Sequence, residues 1–77
     1  MKKQEIAYIR NLGATEENLE YLRIKEQETK ILIDSAIYKT MYSTENRQKL
    51  LNIEFQNEIL LWVIQSTKER IAIKLLG

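Results

Sequence analysis

The chain has 77 residues, 12 Lys and Arg against 11 Asp and Glu, a formal net charge of +1, and no His, Cys or Pro. Without thiol or imidazole there is no thiolate nucleophile, no disulfide and no imidazole base, and a Zn, Cu or Fe–S centre lacks its usual ligands. With 44% apolar and 30% charged residues the composition is that of a single small globular domain, 1–77, rather than a disordered segment.

The first element in chain order is a short helix over about 3–12, closed by Asn11-Leu12-Gly13. Gly13 suits the left-handed position after a helix C-terminus, and Thr15 suits the N-cap of the next helix. Gln4 to Gly13 followed by Thr15-Glu16-Glu17 has the outline of a helix-turn-helix entry. Glu16, Glu17 and Glu20 at the start of the second helix, however, would repel DNA where a recognition helix makes contact. Those carboxylates complement the positive end of a helix dipole instead.

The second helix is expected over about 16–41. Leu19 and Leu22 face inward and Glu16, Glu20 and Gln27 outward, whereas Ile31 to Tyr42 scatters apolar side chains nearly all round the axis. Lys30-Ile31-Leu32-Ile33-Asp34 has strand-like composition, but no partner strand is in sight and the run continues without a turn signal, so helix is expected here too. Glu26→Lys30 and Glu45→Lys49 have the helix-stabilising i,i+4 spacing.

Tyr42-Ser43-Thr44-Glu45-Asn46 supplies the next break, with Ser43 or Thr44 as cap, and a third helix is expected over about 45–76. A weak echo at an offset of 28 residues, Glu17-Asn18 and Leu22 recurring as Glu45-Asn46 and Leu50, is what two amphipathic helices with the same start signals produce by chance. At 100° per residue helix 3 has two apolar stripes. Leu50, Ile53, Leu60, Ile64, Ile71 and Leu75 lie on one side, and Leu51, Phe55, Ile59, Trp62 and Ile73 on the other. The first stripe also reads as a heptad with Asn57 at a core position, where an Asn can fix register and oligomeric state.

Two helices of about 40 and 48 Å at 1.5 Å per residue, with one short helix, can cover each other on one face only. The fold expected is therefore all-α: a short N-terminal helix and a hairpin of two long antiparallel helices, paired antiparallel with a second copy in a dimeric helical bundle, a coiled-coil-like packing. The expected dimer or partner interface comprises Leu50, Ile53, Phe55, Asn57, Ile59, Leu60, Trp62, Ile64, Ile71 and Ile73, with no assignment of which stripe is core.

No catalytic group, cofactor site or metal site is expected. The expected role is that of a non-enzymatic protein-interaction module, a homodimer that regulates or inhibits another protein by binding it. The alternatives are a small nucleic-acid-binding dimer using a basic seam of Lys49, Arg70 and Lys74, and a structural or assembly subunit. A net charge of +1 gives little general pull on phosphate, so a protein partner takes precedence over nucleic acid.

The longest apolar run, Ile59 to Ile64, is far short of the roughly 20 residues that span a bilayer. No apolar stretch follows Lys2-Lys3 as in a secretory leader, so a cytoplasmic protein without a membrane partner is expected. Eleven Ile against one Val, with few Ala, Gly or Pro, is the residue set of AT-rich codons, as in low-GC bacteria and their phages.

Overall fold

The computed structural model describes residues 2–42 and 47–77. Among these residues the chain is all helical, with α1 at Lys2–Arg10, α2 at Glu16–Tyr42 and α3 at Arg47–Leu76. The run Lys30 to Asp34 lies inside α2. The caps expected at Ser43 and Thr44, and the Glu45→Lys49 pair, lie outside the described residues.

Thr15 opens α2 as its spacing demands. Its Oγ1 accepts the Asn18 N–H at 3.1 Å, and its carbonyl accepts the Leu19 N–H at 3.0 Å. The end of α1 departs from expectation. The helix stops at Arg10, and no described residue, Gly13 included, has a positive φ. The carbonyls of Ala7, Tyr8 and Ile9 accept the backbone N–H groups of Asn11 and Leu12, and those of Arg10 and the following loop are met by side chains. Arg70 reaches across from α3 and donates to the carbonyls of Leu12 at 3.0 Å and Arg10 at 3.3 Å, and Asn18 Nδ2 donates to the Gly13 carbonyl at 2.8 Å.

α2 and α3 pack antiparallel as a hairpin, and α1 lies along α3 at the end away from Tyr42. The core is one cluster of Ile9, Leu19, Leu22, Leu60, Val63, Ile64 and Ile71, bordered by Ile6, Leu12, Ala14 and Ala72. Ile33 and Ala36 are also buried but stand apart from that cluster. The molecule is drawn out to 50 × 19 × 14 Å.

Polar groups fix the alignment of the two long helices. Glu26 is buried and takes both hydrogen bonds from Lys68 Nζ, at 3.0 and 3.1 Å, with Lys30 Nζ at 3.9 Å. Sliding α2 along α3 would part this carboxylate from Lys68 and leave it only the longer contact to Lys30 of its own helix. Thr29, buried beside it, spends its hydroxyl on the Lys25 carbonyl.

Candidate functional site: the outer faces of the hairpin

The hydrophobic residues in the middle of α3 divide between a buried and an exposed side. Leu60, Ile64 and Ile71 from the first stripe are buried against α2 and α1, together with Asn57, Val63 and Thr67. These positions are the interior of a single chain, which answers the question the two stripes posed. Leu50 is half-buried, and Ile53 and Leu75 emerge toward the helix ends. The second stripe faces away from the hairpin. Phe55, Ile59, Ile73 and Leu51 are exposed, and Trp62 at its centre keeps 74% of its surface in water. Leu51, Phe55, Ile59 and Trp62 follow one another along this side, and the exposed Ser66 and Glu69 separate them from Ile73.

Asn57 is buried to 2% exposure at the heptad position, and its Oδ1 is the one buried side-chain polar atom among the described residues without a hydrogen-bond partner. It therefore lies inside the hairpin, and does not reach a second chain from the outer face.

Trp62 and Val63 form the floor of a groove between α3 and the C-terminal end of α1, with Arg10 on the rim and Ser66 and Arg70 beyond it. The groove continues over Ile59, with Glu58 on its other border. Arg70 is turned toward the α1 carbonyls, whereas Lys49 and Lys74 are exposed near opposite ends of α3, about 37 Å apart at 1.5 Å per residue. The three residues of the basic seam thus do not converge on one spot.

α2 carries an outer stripe of its own. Ile24, Ile31, Tyr38 and Tyr42, spaced seven, seven and four residues apart, fall on one side of the helix, opposite Leu22, Glu26, Thr29 and Ile33, and all four are exposed. Tyr38 and Tyr42 pack on each other with ring centroids 4.8 Å apart. The same end of α2 also exposes Leu32, Ile37 and Met41. The stripe is hard to read from sequence, because the second half of α2 is apolar nearly all round and only the position of α3 separates inner from outer residues.

On the far side of α1, Glu5 forms an ion pair with Lys25 at 2.6 Å, and Tyr8 meets Tyr21 edge to face. The hydrogen bond that Lys25 donates to the Glu5 carboxylate raises the Lys25 pKa above its ordinary 10.5, against the opposing effect of burial. No three acidic side chains among the described residues stand close enough to hold a metal ion, and none of the described helices is long and apolar enough to cross a membrane. Compared with protein-family models, with curated proteins and with solved structures, the chain matches none.

Proposed function

We propose that this chain is a small non-enzymatic protein-interaction module that self-associates through the outer face of α3 and acts by binding another protein, as a regulator or inhibitor. One observation carries the reading. The chain completes its own core with the inner stripe of α3, and Leu51, Phe55, Ile59, Trp62 and Ile73 are left over on the opposite side. Hiding such a strip on a second copy is the direct way for a short chain to gain apolar burial, since a domain this size buries only about 60% of its unfolded surface alone. The homodimer is the simplest assembly that does so.

Sedimentation equilibrium from low micromolar to near-millimolar concentration tests it. The wild-type chain is expected to exceed its monomer mass, and Trp62→Ala to weaken association at least about tenfold while keeping its helix content. A wild-type chain that stays monomeric throughout rejects the proposal. A second reading, an assembly subunit, draws on the outer stripe of α2, which a single α3-to-α3 contact leaves uncovered.

A further inference from the structure

We infer that the groove between α3 and the C-terminal end of α1 binds a small aryl carboxylate, with its ring on Trp62 and its carboxylate between Arg10 and Arg70. The site needs one chain only, so it is tested separately from self-association.

Trp62, Ser66 and Arg70 follow one another along α3 at four-residue steps, and Val63 and Thr67 form the row beside them. Arg10, in the last turn of α1, stands across the groove from these rows. The space between them is about 260 Å3, just under the roughly 300 Å3 at which pockets for drug-sized ligands begin, and so has room for a single ring with one substituent.

The lining points to an oxygen anion. Among the described residues, the charged groups around this stretch of the groove are the two guanidiniums, and neither is in an ion pair. Arg70 spends one nitrogen on the carbonyls of Arg10 and Leu12, which leaves its other N–H groups, and all those of Arg10, without an acceptor. Thr67 supplies a second, independent indication. Thr29 and Thr40 return their hydroxyls to the carbonyl four residues back, the usual resort of a threonine inside a helix. Thr67 does not. It is 5% exposed, lines the groove and makes no hydrogen bond to any described residue. A buried hydroxyl without a partner is costly unless something else supplies one. An oxygen anion held by Arg10 would do so.

The charge balance selects a carboxylate over a phosphate dianion. The carbonyl end of α1 brings partial negative charge to the same place, and Glu58 borders the adjoining stretch over Ile59. What remains of two positive charges suits one negative charge, and the planar fork of Arg10 matches a carboxylate with two parallel hydrogen bonds. Trp62, 74% exposed at the other end of the groove, offers a flat apolar face on which an aromatic ring can stack.

The test is titration of the full chain with phenylacetate, followed by NMR through the indole N–H of Trp62, the single tryptophan, and the backbone amides of 62–70. Saturable shifts confined to that region are expected, with a Kd of about 1 mM or below. Phenylacetamide, which keeps the ring and loses the charge, and acetate, which keeps the charge and loses the ring, should each bind at least about tenfold more weakly. Arg10→Gln should weaken phenylacetate about fivefold and Thr67→Val about threefold, with circular dichroism to verify the fold of each. Equal binding of phenylacetamide overturns the inference, as does unchanged affinity in either variant. Tighter binding of phenyl phosphate than of phenylacetate overturns the choice of a carboxylate, and absence of saturable shifts removes the site.

Discussion

The end of the molecule that carries α1 and the end that lacks it are built from the same two helices, yet they differ in what they hide. Where α1 lies, Ile9, Leu22, Ile64 and Ile71 are wholly excluded from water and join one cluster. Toward Tyr42 and Arg47 the buried side chains are Ile33, Ala36 and Asn57, while Ile31, Tyr38, Met41, Tyr42 and Phe55 are left outside. Two helices in contact can bury one narrow stripe each. A third helix turns that seam into an enclosed core, and where it is missing the excess apolar residues remain at the surface. The nine residues of α1 therefore distinguish a half with an enclosed core from a half with a single buried seam.

The largest effect should come from comparing core deletions in the two halves. Ile64→Ala is expected to cost about 3–4 kcal/mol in urea unfolding, and Ile33→Ala about 2 kcal/mol, because the thinner seam has fewer neighbours to abandon. Equal costs would erase the distinction between the halves.

Asn57→Leu should act in the opposite direction. Removing a buried acceptor without a donor is expected to stabilise the open half by about 1–2 kcal/mol and to slow amide exchange in the second half of α2. Destabilisation would mean that Asn57 has a donor after all.

The smallest effect concerns the ion pair that ties α1 to α2. The folded-state pKa of Lys25 is raised, so its contribution is full below about 10.5 and is lost as pH climbs through the folded value. Melting curves of wild type and Lys25→Met should therefore differ below that pH, by less than about 1 kcal/mol, and converge above it. A difference that persists at high pH would assign the effect to packing of the lysine stem rather than to charge.

Much of this architecture was legible in the residues. Missing prolines and isolated glycines leave two long uninterrupted segments, and Thr15 with Glu16 and Glu17 marks the start of α2 to the residue. The opposed stripes of α3 were readable because Arg47, Glu54, Glu58 and Gln65 separate them along one seam. Less legible was anything set by distant partners. Asn11-Leu12-Gly13 reads as a glycine-terminated helix, but the capping group is Arg70, nearly sixty residues further along the chain. The same holds for Glu26, whose local spacing points to Lys30 while its closer contact is Lys68. Arg10 borders the Trp62 groove only because α1 docks on α3, and the periodicity of a nine-residue helix does not say where it docks.

The drawn-out form of the hairpin has a practical consequence for weighing the particle. A body of 50 × 19 × 14 Å drags more solvent than a sphere of the same mass and leaves a gel-filtration column early, as though it were a larger compact protein. Elution volume alone would thus report a dimer where a lone rod is present. Absolute mass from light scattering or sedimentation equilibrium is the quantity that separates an elongated single chain from a pair.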